Sequence, residues 1–382
     1  MVTVNPQFAK KLKKFGAKTA TDCFNCGTCT AVCPLVTDEN QFPRRFMRYV
    51  QLGMEDKIKH SLEPWLCYYC GDCQKNCPRQ ANPGEVMMSL RRYLTSLYDW
   101  TGLATKLYTS KVWEILSVVV LFIATLLVVN ALHGPMVLEH TELETFAPRH
   151  VVDPAGWIFG GVLSIILLSN IYRMYRFVMD GGEKVKINIP LSVYVQELYT
   201  LIYNFLTQKR FSLCSNKSRW IKHWLLMSGY TVAFLLVNAG SKWFLTNEYL
   251  SVFHPARILG YYASITLLYV TTESIISRLR KTEPIHQYSH STDWMFLILL
   301  WLTVFTGLMT HVFKYLDLPL ATYYTFAIHL AFTVPLLGLE VPFTKWAHLA
   351  YRPFALYFKQ VKERALEMQR TAGAAGQMEI SG

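Results

Sequence analysis

The stretch Cys23-Phe-Asn-Cys26-Gly-Thr-Cys29-Thr-Ala-Val-Cys33-Pro34 decides the architecture of the first hundred residues, because its spacing is C-x2-C-x2-C-x3-C-P. The same spacing recurs in Cys67-Tyr-Tyr-Cys70-Gly-Asp-Cys73-Gln-Lys-Asn-Cys77-Pro78. This pattern is typical of two [4Fe–4S] clusters, where the fourth cysteine of each motif ligates the other cluster. A structural zinc site would use C-x2-C pairs without a third cysteine three residues further on. The repeat therefore predicts a two-cluster domain.

The pattern also predicts which cysteines share a cluster. We expect one cluster to be held by Cys23, Cys26, Cys29 and Cys77, and the other by Cys67, Cys70, Cys73 and Cys33. Gly27 and Gly71 allow the backbone to approach the sulfur atoms closely. The ninth cysteine, Cys214, lies in a basic segment far along the chain, and we interpret it as a free thiol rather than a ligand.

The linker between the motifs indicates a helical domain. It spans 34–66 and contains Arg44–Gly53, which has helical spacing of apolar residues with little β-branching. Glu85–Leu97, after the second motif, has the same pattern. We therefore expect residues 1–100 to form an α-helical ferredoxin domain, not the compact β-hairpin type. Residues 101–111 are expected to be a linker.

The composition of the whole chain points to a membrane. Of its 382 residues, 52 % are apolar and 17 % are charged, whereas a typical soluble domain has about 25 % charged residues. These values exclude a disordered chain and disfavour a plain cytosolic globule. The net charge of +12 is typical either of a nucleic-acid-binding protein or of a membrane protein with positive cytoplasmic loops. The charge distribution described next favours the membrane protein, so no nucleic-acid partner is expected.

Six apolar segments approach the roughly 20 residues that a membrane-spanning helix needs. Connections that would lie inside hold 16 Lys and Arg residues, and those outside hold 2, so both termini are expected in the cytoplasm and the chain in the inner membrane. A signal peptide is not expected, because the first twenty residues are Lys-rich. The reducing cytoplasm disfavours disulfides. The predicted spans are Val112–Leu132, Ala155–Val178, His223–Leu245, Ala256–Ile276, Thr292–Phe313 and Ala321–Val341.

The predicted architecture is therefore all-α: a ferredoxin domain, then a six-helix transmembrane bundle over residues 112–349, then a cytoplasmic tail over 350–382. The inner segment Pro190–Leu206 also has helical spacing, and it suits either an interfacial helix or an ordinary connecting helix.

Five histidines lie in or at the ends of the predicted spans, where ionisable residues are functional suspects. A haem of b type, held between helices by paired histidines, is the expected cofactor, since the sequence has no C-x-x-C-H motif. His329 and His348 are 19 residues apart, or about 28 Å along an unbroken helix, which suits an outer and an inner haem. The histidines are His223, His254, His311, His329 and His348.

We expect His223 to pair with His348 at the inner haem. For the outer haem, His311 is the first candidate to pair with His329 and His254 is the second. The alternative for His311 and His254 is that they line a quinone pocket.

With two cysteine motifs ahead of these spans, the chain resembles the C subunits of the quinone-interacting membrane-bound oxidoreductase complexes of sulfate reducers. Those subunits resemble a fusion of the C and E subunits of heterodisulfide reductase. The segment from Ile328-His329 to Ala347-His348 is also similar to the last helix of respiratory nitrate reductase γ subunits, whose matching histidines bind two haems. His223 matches an earlier haem histidine of that family, whereas the position expected for a further one, near Ala233, holds no histidine.

The resemblance implies menaquinol as the electron donor, together with two [4Fe–4S] clusters and two haems b as cofactors. It implies cytoplasmic partner subunits carrying flavin and iron–sulfur clusters, through which electrons reach adenylylsulfate reductase. By analogy with the γ subunits, the quinone pocket is expected near the outer haem, with the candidates His254, Arg257, His311 and Lys314. The alternative is a membrane subunit of a heterodisulfide reductase-like or sulfite reductase-linked complex.

Two other classes are disfavoured by the sequence. A transporter would have paired Gly- or Pro-interrupted spans, and we find none. Activity on a soluble substrate by this chain alone is not expected, because it has no Gly-rich dinucleotide fingerprint and no phosphate-binding loop.

Overall fold

A computed structural model describes residues 3–37, 40–180 and 189–380 of the chain. These residues form helices joined by loops, with no β-strand among them and one isolated bridge between Thr37 and Asn40. The predicted all-α class is thus confirmed for the described residues. The chain divides into two compact units, each built from separate stretches of sequence.

The first unit consists of Met1–Gly102, Leu168–Lys217 and Ala347–Gly382. Its first stretch ends close to the boundary predicted at residue 100, and it also takes in two later stretches. Its principal helices, including the predicted ones around Arg44 and Glu85, are Phe8–Lys13, Thr28–Ala31, Arg44–Gln51, Glu55–Lys59, Glu63–Leu66, Asp72–Lys75, Pro83–Tyr98, Leu191–Thr207 and His348–Ile380. Short 3-10 helices cover Ala20–Asp22 and Lys209–Leu213, and a π-helix covers Arg176–Asp180.

Aromatic packing joins these stretches into one core. The ring centroids of the buried Trp65 and of Tyr351 are 5.0 Å apart, and those of Tyr98 and Tyr351 are 5.5 Å apart. Arg352 Nε donates to the carbonyl oxygen of Trp65 at 3.1 Å. The segment predicted as a cytoplasmic tail therefore begins with a helix that packs into the core of the first unit.

The helix predicted from Pro190 is present as Leu191–Thr207, and it packs along the His348–Ile380 helix. Tyr357 Oη donates to the carbonyl oxygen of Tyr194 at 2.8 Å, and Arg364 pairs with Glu197 at 2.8 Å. These contacts give the segment a packing role within the first unit.

The second unit consists of Leu103–Leu167 and Ser218–Trp346. Five helices of the chain are long and apolar enough to cross a bilayer, which indicates a membrane protein: Lys111–Leu132, Arg149–Met179, Lys217–Ala239, Ser291–Tyr315 and Pro319–Phe343. The other helices are Leu103–Thr109, Leu143–Phe146 and Pro255–Leu279, with 3-10 turns at Ser241–Trp243, Pro284–Tyr288 and Lys345–Ala347.

The helix Pro255–Leu279 covers the remaining predicted span and is not among those five. It is long enough to cross a bilayer. However, eight Ser, Thr and Tyr residues between 261 and 274 lower its mean hydropathy. A six-helix bundle therefore remains a prediction.

The Lys111–Leu132 helix has the burial pattern of a lipid-facing helix. Its apolar side chains are exposed, as at Val112 with 73 % and Leu127 with 65 % exposure, whereas Glu114 is only 4 % exposed. Water would favour the opposite arrangement. In a bilayer, apolar side chains face lipid and charged ones face the protein interior.

The last apolar helix does not continue unbroken to His348. Pro319–Pro335 is followed by a π-helix at Leu336–Glu340 and a short turn, and Thr344 leaves helical conformation with φ −129° and ψ −134°. Pro342 lies two residues before the break, and a proline ring clashes with the preceding turn of a regular helix. The 28 Å separation estimated for His329 and His348 assumes an unbroken helix, so it does not apply.

Candidate functional site

The two cysteine motifs fold into matching loops. Asn25 and Tyr69, each two residues after the first cysteine of its motif, have left-handed φ values of 57° and 55°. Gly27 and Gly71 follow with φ values of 94° and 91°, where a side chain would be strained. A four-residue helix then begins directly after each glycine. The glycines are thus required by the loop that presents the cysteines.

Each loop turns a backbone N–H towards its own first cysteine. Asn25 N donates to Cys23 Sγ at 3.3 Å, and Tyr69 N donates to Cys67 Sγ at the same distance. Such bonds stabilise negative charge on sulfur and are the usual outer support of a metal-bound thiolate. The loops are therefore suited to holding thiolates.

Electrostatic interactions among the eight motif cysteines suit two groups with exchanged fourth members, and Cys29 of the first motif also interacts with Cys73 of the second. Electrostatic interactions connect Cys77 to the first motif and Cys33 to the second. Cys29 also interacts with Cys33, so the groups are neighbours. The groups are Cys23, Cys26, Cys29 and Cys77, and Cys33, Cys67, Cys70 and Cys73.

The second group lines a cavity. Within the described part of the chain, no three Cys, His, Asp or Glu side chains converge on the position of a single metal ion. Burial raises the pKa of the Cys33 thiol to about 12 and that of Cys29 to about 11. Thiols in so dry a site become thiolates when a metal centre supplies positive charge. Four cysteine thiols in each group fit the ligand set of a [4Fe–4S] cluster.

Cys214 also lines this cavity. It is 4 % exposed, and its side chain hydrogen-bonds that of Cys70. Sequence spacing could not place it there, because it lies outside both motifs and reaches them only through the fold of the first unit.

Arg91 holds the backbone at the start of the second motif. Its guanidinium donates to the carbonyl oxygens of Pro64 at 2.6 Å and Trp65 at 2.9 Å, and to that of Cys67. Burial lowers the pKa of Arg91 to about 9. No sequence pattern indicated this role, because a single arginine on a helix is usually solvated.

A buried ion pair supports the same motif from another side. Arg92 Nη1 lies 2.7 Å from Glu85 Oε1, with both side chains 5 % exposed. Tyr69 Oη donates to Glu85 at 2.8 Å, and Arg92 donates to the carbonyl oxygen of Phe15 at 2.9 Å. The pair therefore links the Tyr69 loop to the N-terminal segment.

We expect Arg92→Met to destabilise the first unit by about 3–5 kcal/mol, because it leaves the Glu85 carboxylate buried without its cation. The Glu85→Gln/Arg92→Met double variant should recover much of this loss, since no unpaired charge remains. The measurement is the denaturant midpoint for loss of visible cluster absorption in detergent-solubilised protein. A single variant with an unchanged midpoint would refute the proposed importance of the pair.

In the second unit, His329 is held in one orientation. Its Nδ1 donates to the carbonyl oxygen of Thr303 at 2.9 Å. A Cβ added at Gly307 would lie 3.0 Å from His329 Cε1, so the glycine makes room for the ring. A backbone carbonyl bonded to Nδ1 is how many proteins orient a metal-binding histidine, with Nε2 left for the metal.

His311 and Arg257 are brought together. His311 Nε2 lies 3.0 Å from Tyr261 Oη, and its Nδ1 lies 3.5 Å from Arg257 Nη1. Arg257 is 4 % exposed, and its Nε and Nη2 atoms have no hydrogen-bond partner among the described residues. Buried guanidinium donors without partners fit a ligand that offers oxygen acceptors.

Lys314 lies close enough to His311 and Arg257 to interact with both electrostatically, whereas His254, His223 and His348 have other neighbours. Lys314 Nζ donates to the carbonyl oxygens of Thr246 and Glu248. His254 Nδ1 accepts from Ala256 N at 3.3 Å and so caps the Pro255–Leu279 helix. His223 lies near the start of the Lys217–Ala239 helix, and His348 begins the last helix of the chain.

A buried polar group near the helix break was missed by the sequence analysis. Lys345 Nζ lies 2.6 Å from Asp293, and Glu340 Oε2 accepts from Thr344 Oγ1 at 2.5 Å and from Lys345 N at 3.1 Å. Asp293 and Glu340 are 3 % and 2 % exposed. Carboxylates within an apolar segment are the signal that could have identified this group.

Comparison with known proteins agrees with the cysteine geometry. Residues 19–81 match the 4Fe-4S dicluster domain family. A protein of Archaeoglobus profundus that is named for its likeness to the C subunit of heterodisulfide reductase is 32 % identical over 97 residues, which cover 25 % of this chain and 52 % of that protein. The C subunit of the H(2):CoB-CoM heterodisulfide,ferredoxin reductase of Methanothermobacter thermautotrophicus is 32 % identical over 88 residues, covering 23 % and 48 %.

A third relative is the iron-sulfur C subunit of the CoB–CoM heterodisulfide reductase of Methanopyrus kandleri, 36 % identical over 69 residues that cover 18 % of this chain and 36 % of that protein. The chain thus spans about half of the length of the first relatives or less, and no solved structure matches it. The N-terminal region of this chain therefore contains a 4Fe-4S dicluster domain related to the C subunits of heterodisulfide reductases.

Proposed function

We propose that the chain is a membrane electron-transfer subunit that takes electrons from menaquinol and passes them through haem b and two [4Fe–4S] clusters to cytoplasmic partners. The observation that carries the proposal is the combination, in one chain, of a dicluster domain with apolar helices that contain a half-buried, oriented histidine, His329. Clusters and haem supply one-electron redox chemistry, and the chain's own residues hold and orient them.

In the first unit, we assign the ligands as the two cysteine groups with exchanged fourth members. The N–H groups of Asn25 and Tyr69 support thiolate charge at Cys23 and Cys67. In the second unit, His329 is the proposed ligand of the outer haem, and its bond to the Thr303 carbonyl oxygen supports this role. His223 and His348 are proposed for the inner haem, on the resemblance to γ subunits.

The proposed quinol pocket lies around Arg257 and His311. The unpartnered Nε and Nη2 atoms of Arg257 could bind a quinone oxygen, and His311 lies beside the same guanidinium. Because both His311 ring nitrogens already face neighbouring side chains, the pocket role has more support than haem ligation. His254 and Lys314 remain candidates at the rim.

Further proposals rest on the resemblance. We propose an inner-membrane location with both termini cytoplasmic, partner subunits with flavin and iron–sulfur clusters, and delivery of electrons to adenylylsulfate reductase. The second candidate, a subunit of a heterodisulfide reductase-like or sulfite reductase-linked complex, is favoured by the relatives of the N-terminal region.

The test uses the purified complex. We expect a dithionite-minus-oxidised difference spectrum with b-type haem bands, and added menaquinol should produce the same bands. Arg257→Leu should greatly slow reduction by menaquinol and leave the dithionite spectrum unchanged. A preparation without haem bands would contradict the proposal, and the identity of the copurified soluble subunits decides between the two complexes.

A further inference from the structure

The segment that carries Cys214 is fixed to the second cysteine motif at both ends. Phe211, in the Lys209–Leu213 turn, stacks on Tyr68 with ring centroids 4.9 Å apart and planes inclined by 19°. After Cys214, the N and Oγ atoms of Ser215 donate to the Asp72 carboxylate. Tyr68 and Asp72 both belong to the second motif, so the segment holds Cys214 over it.

Cys214 is therefore not a lone buried cysteine. Its side chain faces the cavity formed by Cys33, Cys67, Cys70 and Cys73, and it hydrogen-bonds Cys70. Four thiolates complete the ligand set of a [4Fe–4S] cluster, so a fifth cysteine has no iron to bind. A thiol S–H is a weak hydrogen-bond donor.

In the first motif, the second cysteine has a hydrogen-bond donor from within the motif. Cys26, the counterpart of Cys70, lies 3.4 Å from Thr28 Oγ1, whose hydroxyl can donate to a thiolate. The position equivalent to Thr28 in the second motif is Asp72, which has no hydroxyl. Its carboxylate accepts from Ser215 and also lies beside Cys70, where it cannot donate to a thiolate. The side-chain donor to Cys26 thus belongs to the first motif, whereas the donor to Cys70 is Cys214, which lies outside the second motif.

We propose that Cys214 is a positioning residue whose S–H donates to Cys70 Sγ and thereby raises the reduction potential of the cluster held by Cys33, Cys67, Cys70 and Cys73. This inference rests on the proposed function, because it requires that cluster. Hydrogen bonds to the sulfur atoms are among the factors that set cluster potentials. A donor stabilises the more negative, reduced state more strongly than the oxidised state, because hydrogen bonds to charged groups are the stronger ones.

The test is a redox titration of the full chain in its complex, followed by the electron paramagnetic resonance signal of each cluster. We expect Cys214→Ala to lower the equilibrium constant for one-electron reduction of the second cluster about tenfold, or about 59 mV. Cys214→Ser should keep the potential near that of the wild type or above it, because O–H is the stronger donor. Iron content and the potential of the first cluster should not change.

Ser212→Ala is the matched control, because Ser212 is on the same segment and donates to the Lys209 carbonyl oxygen instead of the second motif. We expect it to leave both potentials unchanged, whereas Thr28→Val should lower the potential of the first cluster. An unchanged potential in Cys214→Ala would overturn the proposal. So would loss of iron from both Cys214 variants, or an equal shift in Ser212→Ala. Wild-type protein without cluster iron would instead contradict the proposed function.

Discussion

Cys77→Ala is expected to lose the cluster of the first motif, and Cys33→Ala that of the second motif. The reason is that each of these cysteines lies with the other motif's thiols, Cys77 with Cys23 and Cys33 with Cys67. Removing one of four thiolate ligands opens the cluster to solvent and to loss of iron. Each variant should therefore retain about half of the cluster iron.

The decisive measurement compares spectra, because iron content alone does not say which cluster is missing. In dithionite-reduced protein, the electron paramagnetic resonance spectrum of Cys77→Ala should match that of Cys29→Ala. The spectrum of Cys33→Ala should match that of Cys73→Ala. These two matched variants are suitable references, because Cys29 and Cys73 are the third cysteines of their own motifs.

The opposite pairing of spectra would show that each motif holds its own cluster. Cys77→Ala would then resemble Cys73→Ala, and Cys33→Ala would resemble Cys29→Ala. Complete loss of iron in all four variants would indicate that neither cluster is stable alone, and the assignment would then need variants with serine, which can retain a weak ligand.

The spacing of the cysteines was enough to predict the local structure around them. It requires tight loops, and the structure has them, with left-handed Asn25 and Tyr69 in equivalent positions. The helices Arg44–Gln51 and Pro83–Tyr98 were predictable as well, because their apolar residues recur at helical spacing. Such features depend on neighbours in sequence.

Features that depend on distant contacts were not predictable. Cys214 reaches Cys70 only because the Phe211 and Ser215 contacts fix its segment to the second motif. Likewise, nothing in the periodicity of 350–371 indicates that Tyr351 packs on Trp65. A pattern restricted to one segment contains no information on its partner.

The membrane segments were predictable in position, but less so in regularity. Apolar composition placed Val112–Leu132 within one residue of the observed Lys111–Leu132, whereas the predicted His223–Leu245 is displaced by six residues from the observed Lys217–Ala239. The helix break at Thr344 was not anticipated, although Pro342 is visible in the sequence. A proline can kink a helix or end it. Here the buried Glu340 carboxylate accepts hydrogen bonds from Thr344 Oγ1 and Lys345 N, and these bonds favour termination of the helix.

Among the membrane residues, His329 carries the prediction with the largest expected effect. We expect His329→Ala to lose the outer haem, and so about half of the haem if two are bound. The ring is oriented by the Thr303 carbonyl oxygen at 2.9 Å and fits against Gly307. Haem per chain, measured by pyridine haemochrome and compared with cluster iron, checks the result.

Two further variants test the surroundings of His329. Gly307→Val keeps the imidazole but pushes its ring away, since a Cβ at this position would already lie 3.0 Å from His329 Cε1, so this variant should also lose the outer haem. His311→Ala should keep the full haem content if His311 lines the quinol pocket, and lose the outer haem if it is the second ligand. Full haem content in His329→Ala would rule out His329 as a ligand, and its bond to Thr303 would then be only a contact between neighbouring helices.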